Sequence, residues 1–478
     1  MPDVPVGLVG GSGQTWSEHQ TERLVNGYLQ FDQKGKKPVA IIGSPGLSQL
    51  ISLGGDSGIR GMYVFDGRLF VVNQTDIREV YSGGTSYLWA NLNTLRGPVG
   101  ISENNGKLIF GDGTGFYVLD LSDASLTVVL IEGTDELRGT WSEYIDGYTL
   151  YMERDTGQVW YSDIDDPETV GGLSFGAAEG SPDINVNIAV IDRRIILFQT
   201  NSVEHWDSTG DTDDPFARVS GGFVEGGCAA ARGVVEVDNS VCWIGSDEDG
   251  EGIILRMSDW SGVRISNHAV EKALRDLGGD LSGVTSYSYQ EDGHTFACWN
   301  IGDLTWCYDF SAPADPWSNR GWTEPATGAY ERQRQDCHAF VYGAHYVGDY
   351  ESGKIYRQAL GIYSDNGDEL VLERVTPHQF ADGRGAICDE FEVFMETGVG
   401  LDGTGQGTDP VIMLQYSTDG GRNYSNEITR SIGQIGETRT RVRFHRLGSG
   451  RDWVLRLRIS DPVRRVITGG VAKVRLGR

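Results

Sequence analysis

The residues Ser417–Tyr424, STDGGRNY, have types and a spacing that could hold a functional turn. They follow the pattern Ser-x-Asp-x-Gly-x-x-aromatic. In such a hairpin the serine and aspartate side chains hydrogen-bond the backbone of the turn, and the aromatic ring packs beneath it. The pattern therefore predicts a hairpin stabilised by its own side chains.

This hairpin is called an Asp box, and it abounds in sialidases. Those enzymes also need a cluster of arginines that clamps a carboxylate, and a tyrosine nucleophile with an acidic partner. The chain has a single box, and its arginines concentrate beside that box rather than along the rest of the chain. We therefore predict a structural role for the hairpin, not a catalytic one.

Three acidic stretches offer oxygen ligands for a cation: Asp163–Asp166, Asp211–Asp214 and Asp247–Glu251. A calcium loop needs oxygen ligands at wider, fixed spacing and a late glutamate, and the third stretch lacks that spacing. We predict that all three are solvated loops. A pair of carboxylates at glycosidase separation stays open as an alternative, because 68 acidic residues always offer some pair.

The histidines and cysteines show no metal-binding pattern. The sequence has no His-x-x-x-His or Cys-x-x-Cys pair, no phosphate-binding loop and no nucleophile elbow. Cys298 and Cys307 flank a Gly-Asp turn and could face each other across a hairpin. We expect all six cysteines to be buried free thiols of a protein made in a reducing cytosol. The sequence thus predicts no catalytic, cofactor-binding or metal-binding residue, and no enzyme.

The net charge of −28 bears on possible partners. Such a surface repels DNA phosphates, which argues against general duplex binding, but it suits the wall of a channel through which DNA slides. From Arg422 to Arg478 there are 14 Lys or Arg and 4 Asp or Glu, a net charge of +10, which leaves −38 for the remainder. This asymmetry predicts an oriented contact with an acidic neighbouring chain, with solvated arginines as the alternative.

The elements that position these residues follow from an internal repeat. Each unit has an apolar strand, a tight polar turn, a second apolar strand, a Gly-rich turn and a third strand. Seven units are visible: Met62–Val72, Val99–Leu121, Trp141–Ile164, Asn187–Asp207, Gly233–Ser258, Ser286–Phe310 and His338–Leu360. Their first turns lie near Asp66, Asn105, Asp146, Asp192, Asn239, Asp292 and Tyr342, at spacings of 39 to 53 residues. Asp and Asn followed by Gly suit the type I′ turn, which needs positive φ.

This spacing is typical of propeller blades of three to four strands. We predict an all-β fold with a β-propeller of seven blades. Six blades, or a set of stacked β-sandwiches, are the alternatives. The early strand Val39–Gly54 could pair with the last blade and close the ring. A short inserted helix is predicted at 267–277, between the cap residues Ser266 and Asn267 and the pair Gly278-Gly279.

Past Leu360 the pattern changes. In VRFHRLG and VLRLRIS every second residue is apolar, which predicts strands with one buried and one solvated face. We predict an N-terminal extended segment with the ring-closing strand at 1–60, a β-propeller at 61–374, and a basic C-terminal β-sandwich at 375–478. The sequence has no run of 18 apolar residues and no signal-peptide pattern in Met1–Gln20, so we expect no membrane insertion.

Three parts of the chain resemble a known family, the packaged-DNA stabilisation proteins of short-tailed bacteriophages, also called tail hub, tail accessory factor or nozzle proteins. Near the N-terminus these are SEHQTERLVNGYLQ and Ser44–Leu47. In the middle they are GQVWYSDIDDPETV, AEGSPDINVNIAVIDRRIILFQTNSVEHWDSTG and NHAVEKALRDL. At the end they are YSTDGGRNYS and RLRIS. The resemblance covers most of the chain.

The resemblance implies a structural virion component of the tail, assembled in the host cytoplasm. Such proteins form a ring, usually a hexamer, below the portal and its adaptor. The ring extends the DNA channel, helps retain packaged DNA until genome ejection, and attaches a needle, fibre or spike. DNA is only cargo, and no site residue or cofactor carries over.

Two other functions stay open at this point. The first is a tail-associated propeller that binds or cleaves glycans, which the single Asp box and aromatics such as Trp317 and Trp322, expected to be exposed, would favour. The second is an interaction propeller outside any virus.

Overall fold

The computed structural model describes residues 3–13, 21–32, 34–35, 37–133, 135–177, 183–212, 214–246, 252–314, 316–323, 330–380 and 384–476. In these ranges almost all regular structure is β-strand, with one α-helix at His268–Asp276 and one short 3-10 helix at Ala231–Gly233. None of the helices described is long and apolar enough to cross a membrane.

Seven two-residue turns organise the larger part of the chain. Both central residues have positive φ in each of them: Asp66–Gly67, Asn105–Gly106, Asp146–Gly147, Asp192–Arg193, Asp238–Asn239, Asp292–Gly293 and Tyr342–Gly343. This is the type I′ geometry, whose twist matches that of the strands it joins. The turns predicted from the repeat are therefore confirmed.

Each turn joins the first two strands of a four-stranded antiparallel blade. Blade 1 consists of Ile59–Phe65, Arg68–Asn73, Asp76–Val80 and Ser86–Asn91. Blade 2 consists of Gly100–Asn104, Lys107–Gly111, Phe116–Asp120 and Ser125–Val128. Blade 3 consists of Ser142–Ile145, Tyr148–Met152, Gln158–Tyr161 and Phe175–Ala177.

The next three blades repeat this order. Blade 4 consists of Asn185–Ile191, Arg194–Gln199, Ser202–Ser208 and Phe216–Glu225. Blade 5 consists of Val235–Val237, Ser240–Ser246, Gly252–Ser258 and Ser261–Arg264. Blade 6 consists of Thr285–Glu291, His294–Ile301, Leu304–Asp309 and Trp317–Arg320.

Blade 7 closes the ring with a strand from the N-terminal part of the chain. Its own strands are Gln335–Val341, Ala344–Asp349 and Lys354–Ala359. The fourth strand is Gly46–Ser52, which pairs antiparallel with Lys354–Ala359. The first strand of blade 7 also contacts the first strand of blade 1. The seven-bladed propeller and its closure by the early strand are thus confirmed, and the six-bladed and stacked-sandwich alternatives are wrong.

The apolar second strands explain why the blades stack. Leu108, Ile109 and Phe110 are all fully buried, because both faces of their sheet pack against neighbouring blades. Between blades 7 and 1 a buried cluster combines Ile59 and Leu69 with residues such as Ile355. The ring is therefore held by seven interfaces of the same kind rather than by one central core.

The connections between blades carry the remaining short elements. Small strands lie at Leu130–Ile131, Asp135–Glu136, Thr169–Val170, Trp322–Thr323, Tyr330–Glu331, Ser364–Asp365 and Asp368–Glu369. The helix His268–Asp276 connects blades 5 and 6. The side chain of Asn267 accepts hydrogen bonds from the amides of Ala269 and Val270, as an N-cap residue does. Ala269, Val270 and Leu274 bury the apolar face of the helix between the two blades.

The C-terminal part is a sandwich of two sheets. The first has the strand order Gly27–Phe31, Val39–Gly43, Val466–Leu476, Ala386–Met395 and Val442–Gly450, with Asp3–Val6 also paired to Val466–Leu476. The second includes Leu372–Val375, Asp452–Ile459, Val411–Ser417 and Ile428–Ser431, with Gln379–Phe380 paired to Asp452–Ile459. Phe391 and Phe444 of one sheet and Leu414 and Leu457 of the other are fully buried in the shared core.

A three-residue strand fuses the two parts. Arg23–Val25 pairs parallel with the last strand of blade 6 and antiparallel with Leu372–Val375. Blade 6 and the second sandwich sheet are consequently one continuous sheet. The domain limits drawn from the sequence, 1–60, 61–374 and 375–478, stay a prediction.

Ring closure can be tested at Gly46. A Cβ atom at Gly46 would lie 2.5 Å from the carbonyl oxygens of both Ile362 and Ser364. We expect Gly46→Ala to lower the free energy of unfolding by about 1–3 kcal/mol, because the closing strand must shift. Chemical denaturation measures this change.

The matched control is Gly361→Ala, since a Cβ atom there meets nothing within 4 Å. We expect the control to change the free energy of unfolding by less than about 0.5 kcal/mol. Equal effects of the two substitutions would contradict the closure described here.

Candidate functional sites in the channel and at the domain junction

A buried asparagine joins the propeller to the sandwich. Asn26 is fully buried and has a φ of 55°. Its amide nitrogen donates to the carbonyl oxygens of Gly321, at 2.7 Å, and Val371, at 2.9 Å. Its side-chain oxygen accepts from the amide of Gly321 at 3.1 Å. The Asn26 side chain therefore hydrogen-bonds backbone groups of the segment after blade 6 and of the segment before the sandwich.

Two buried arginines hold backbone around the same junction. Arg374 donates to the carbonyl oxygens of Leu8, at 2.6 Å, and Gly11, at 2.8 Å, and pairs with Glu22. Arg465 donates to the carbonyl oxygen of Leu370, and burial lowers its pKa to about 10. Both guanidinium groups thus bind backbone oxygens of segments that meet at this junction.

Glutamates from three blades surround the axis of the propeller. Glu103, Glu143 and Glu236 lie on the first strands of blades 2, 3 and 5. Burial, and then the charges of these three carboxylates, raise the pKa of Tyr63 on the first strand of blade 1, so the glutamates act on a side chain of a fourth blade. The channel at the centre of the propeller is therefore acidic.

Crowding in this channel disfavours charge. Burial, with a smaller effect of Glu236, raises the pKa of Glu143 well above the usual carboxyl value, and burial also raises the pKa of Glu236. Glu143 is only partly shielded from water and Glu236 is exposed. Protein thus surrounds both groups on most sides while water still reaches them, and the direction of both shifts follows from that enclosure.

A cleft of about 440 Å³ lies at one mouth of this channel, between blades 4, 5 and 6. Asp192, Glu236 and Asp238 give its wall a negative charge, and Ser288 and Gln290 add polar groups. Among the residues described, no three His, Cys, Asp or Glu side chains are arranged to hold a metal ion. The cleft can repel phosphate groups, but its geometry points to no particular ligand.

The basic stretch near the C-terminus is largely neutralised within its own domain. Its ion pairs are Arg441 and Arg443 with Glu392, Lys473 with Glu390, Arg475 with Asp389, and Arg464 with Glu396. Residues 375–478 contain 15 Lys or Arg and 12 Asp or Glu, a net charge of +3, whereas residues 61–374 contain 20 and 51, a net charge of −31. The charge asymmetry of the chain therefore arises mainly from the acidic propeller.

An aromatic surface lies on blade 1 beside the turn of blade 7. Tyr87 is 52% exposed and Tyr342 is 41% exposed. Arg68 stacks 5.4 Å from the centre of the Trp89 ring, and the Glu79 carboxylate binds both Arg68 and Trp89. Tyrosine, tryptophan and arginine are the residues enriched in protein contacts. This surface has the composition of a protein-binding site.

One aromatic residue expected to be exposed is not. Trp317 is only 3% exposed, and its indole nitrogen donates to the carbonyl oxygen of Ile265 at 2.9 Å. It is buried because its side chain packs between blades 5 and 6, together with Trp299, Trp306 and the residues of the helix. The prediction of an exposed Trp317 is therefore wrong, and the Trp322 side chain falls outside what the structure describes.

The Asp box uses its polar groups on its own turn. The Ser417 hydroxyl donates to the Asp419 carboxylate at 2.7 Å and accepts from the amide of Gly421 at 2.9 Å. Hydrogen bonds from Ser417 and Asn423 lower the pKa of Asp419 to about 2. Tyr424 packs under Arg456, whose guanidinium lies 4.1 Å from the ring centre. The geometry is that of a turn-stabilising hairpin.

The predicted acidic loops are only partly described. In Asp163–Asp166 the carboxylate of Asp166 accepts from the amide of Glu168 at 3.1 Å and from the Thr169 hydroxyl at 2.8 Å, which makes it a turn. Asp211 and Asp214 are exposed, and Asp247–Glu251 lies outside the described residues. The prediction that the chain has no catalytic, cofactor or metal site stays a prediction.

The junction can be tested by removing one donor from Asn26. We expect Asn26→Asp to lower the free energy of unfolding by more than about 2 kcal/mol, because it buries a carboxylate against two carbonyl oxygens. Asn366→Asp is the control, since Asn366 also has a φ of 55° but is partly exposed. The free energy of unfolding is measured by denaturant titration. If both variants had the same value as the parent, the role of Asn26 at the junction would be wrong.

The channel can be tested through Glu143. Since its pKa is raised on folding, the folded state favours the protonated form, and stability falls as the pH rises above the ordinary carboxyl value of 4.5. We expect Glu143→Gln to stabilise the protein by about 1 kcal/mol at pH 8 and by much less at pH 4.5. Glu103→Gln, at an exposed position of the same channel, is the matched control in the same thermal-unfolding measurements. A Glu143→Gln gain that did not depend on pH would refute this account of the channel.

Three solved structures are similar to the chain at low identity. The computationally designed Ika8 protein has 12% identity and a TM-score of 0.41, covering 65% of this chain and 100% of that one. The WD40 domain of Neurospora crassa Pan2 has 10% identity and a TM-score of 0.41, covering 65% and 94%. The N-terminal domain of Nup159 has 7% identity and a TM-score of 0.39, covering 74% and 99%. No curated protein sequence matches the chain significantly.

Two family models match the chain, one for each part of the fold. The model described as bacteriophage P22 Gp10, beta-propeller, matches residues 24–359. The model described as bacteriophage P22 Gp10, beta-sandwich, matches residues 372–475. The resemblance found in the sequence is confirmed, and the chain belongs to the bacteriophage P22 Gp10 family of phage packaged-DNA stabilisation proteins, with a propeller followed by a sandwich.

Proposed function

We propose that this protein is a hub or nozzle in the tail of a short-tailed phage, where copies form a ring that extends the channel of the portal and its adaptor. The observation that carries the proposal is the match of both parts of the chain, in order, to the P22 Gp10 family. The ring, usually a hexamer in the family, helps retain packaged DNA until genome ejection. It is assembled in the host cytoplasm and stays in the virion.

The fused sheet supports a mechanical role. Because blade 6 continues through Arg23–Val25 into the sandwich, the two parts move together and can transmit load along a tail. A hinge between freely jointed domains would not transmit load. This suits a wall component that holds DNA under pressure.

The charge distribution supports DNA as cargo rather than as a bound ligand. The propeller region carries a net charge of −31, so it repels phosphates and lets DNA pass without adhering. We propose no catalytic step, cofactor or metal for this role.

Charge also suggests how neighbouring copies meet. Arg439, Arg446 and Arg451 are exposed along and beside the edge strand Val442–Gly450 of the sandwich, without an ion pair to any described residue. We propose that this edge contacts the acidic propeller of the next copy. The aromatic surface around Tyr87 then remains for the adaptor or for a needle, fibre or spike protein.

A glycan-binding or glycan-cleaving propeller is the other candidate, and the exposed tyrosines on blade 1 are the observation that favours it. Trp317, which favoured it in the sequence, is buried. A glycan array combined with a reducing-sugar assay on host polysaccharide separates the two functions, and we expect no signal in either.

The tail role is tested in phage that lack this protein. We expect their particles to package DNA and then lose it, measured as DNA that nuclease can digest, and we expect wild-type protein supplied in trans to restore retention. Cryo-EM of complete particles should show a ring of copies below the adaptor. Full DNA retention without the protein would end the proposal.

The contact between copies is tested by reversing charge. We expect Arg439, Arg446 and Arg451, all changed to Glu, to abolish ring assembly on portal–adaptor complexes in mass photometry. The control changes Arg96, Arg154 and Arg193, which are exposed on the propeller, to Glu and should leave assembly intact. If both triple variants assembled equally well, the proposed contact would be wrong.

A further inference from the structure

Two cysteines of blade 6 face each other across neighbouring strands. Cys298 and Cys307 are partners in the antiparallel ladder of His294–Ile301 and Leu304–Asp309. The two-residue turn that joins these strands has Gly302 at a φ of 58°, so its flanking pair, Ile301 and Leu304, is hydrogen-bonded. Hydrogen-bonded and non-hydrogen-bonded pairs alternate along the ladder, which makes Cys298 and Cys307 a non-hydrogen-bonded pair.

This position suits a covalent bond between the two sulfur atoms. In a non-hydrogen-bonded pair the Cα atoms are about 4.5 Å apart and the side chains lie close together on one face. Disulfides form at Cα separations of about 4.4–6.8 Å. Both thiols are free in this structure.

A buried guanidinium lies beside the two thiols. Arg320, on the last strand of the same blade, is fully buried, and none of its three side-chain nitrogens has a hydrogen-bond partner among the residues that the structure describes. The guanidinium carbon of Arg320 lies 5.2 Å from the centre of the Tyr289 ring and 5.0 Å from the centre of the Phe296 ring. Both rings pack in one buried cluster with the two cysteines. A cation without an acceptor favours negative charge on a neighbouring sulfur.

The other four cysteines have no such surroundings. Burial raises the pKa of Cys228, Cys242 and Cys337 to about 12 and that of Cys388 to about 11. Burial acts on Cys298 as well, but the hydrogen bond from Cys307 and the charge of Arg320 bring its pKa below the usual thiol value. The pair therefore combines one activated sulfur with an adjacent thiol.

We propose that Cys298 and Cys307 are a peroxide-sensitive dithiol that closes to a disulfide. The Cys298 thiolate attacks one oxygen of hydrogen peroxide, the O–O bond breaks, and the released hydroxide takes a proton to become water. The Cys307 sulfur then attacks the Cys298 sulfenic acid and a second water leaves. Two thiols and one peroxide thus become one disulfide and two waters.

The bond would fasten the blade that carries the junction. The last strand of blade 6 pairs with Arg23–Val25, so a cross-link within this blade stiffens the sheet shared with the sandwich. In a particle released from a reducing cytosol, the reaction would cross-link blade 6 after assembly and so stabilise the shared sheet. That consequence rests on the proposed tail function, whereas the thiol chemistry does not.

The test uses the reduced full-length protein and hydrogen peroxide under native conditions. The protein is then denatured, its thiols are alkylated, and mass spectrometry counts and maps the modified sites. We expect four of the six cysteines to be alkylated, a Cys298–Cys307 cross-linked peptide, and recovery of all six after dithiothreitol. Because the pair is buried, a low concentration of urea should speed the reaction by favouring local opening.

Variants identify the role of each group. Cys307→Ser should leave a Cys298 sulfenic acid that a dimedone probe traps, whereas Cys242→Ser should form the disulfide as the parent does. Six alkylated thiols after peroxide, or a cross-link between other cysteines, would overturn the proposal. The wild-type result decides it even if a variant fails to fold, and it is independent of any tail-assembly assay.

Discussion

Pairing between the N-terminal segment and strands far along the chain is the constraint on which the whole structure depends. Gly46–Ser52 completes blade 7, and Arg23–Val25 joins blade 6 to the sandwich. Asn26 alone links positions 345 residues apart. Such contacts carry a large loop-closure cost, which buried backbone pairing and the closed ring of blade interfaces offset. Neither the ring nor the second sandwich sheet is complete without this segment.

Electrostatics divides the molecule in a second way. The propeller region carries a net charge of −31, more than the net charge of −28 of the whole chain, and acidic residues of the sandwich offset most of its positive charge, in part through ion pairs of Glu390 and Glu392. The proposed role as the wall of a DNA channel rests on this acidic charge and on the continuous sheet that the two parts share. Both parts of this body match models of the bacteriophage P22 Gp10 family of packaged-DNA stabilisation proteins.

The blades could be predicted because their signal is local. An Asp-Gly or Asn-Gly pair between apolar runs specifies a hairpin. Four of the seven blade turns have such a pair, and the other three, Asp192–Arg193, Asp238–Asn239 and Tyr342–Gly343, adopt the same geometry with other residues. Arg23–Val25 could not be found, because three residues show no periodicity. Trp317 was predicted to be exposed, but its side chain packs with the helix and with strands of blades 5 and 6, which the local pattern around it does not show.

The candidate sites were harder to predict than the fold, because their groups come together from distant positions. The count of basic residues after Arg422 could not show that their acidic partners precede them in the sequence, at 389–396. Glu143 and Glu236 meet at the axis only once the ring closes. Asn26 had one sequence signal, its position before Gly27, which is the same Asn-Gly pair that forms turns elsewhere. The facing of Cys298 and Cys307 did follow from the sequence, because both flank one short turn.

Native-state hydrogen exchange read by mass spectrometry tests the dependence on the N-terminal segment most directly. If this segment holds both parts together, the amides of Arg23–Val25 and Gly46–Ser52 will exchange only on global unfolding. Their free energy of opening will then equal that of Lys354–Ala359 in blade 7 and of Asp452–Ile459 in the sandwich. Exchange of the N-terminal strands at a much lower free energy, while those two strands stay protected, would contradict the account.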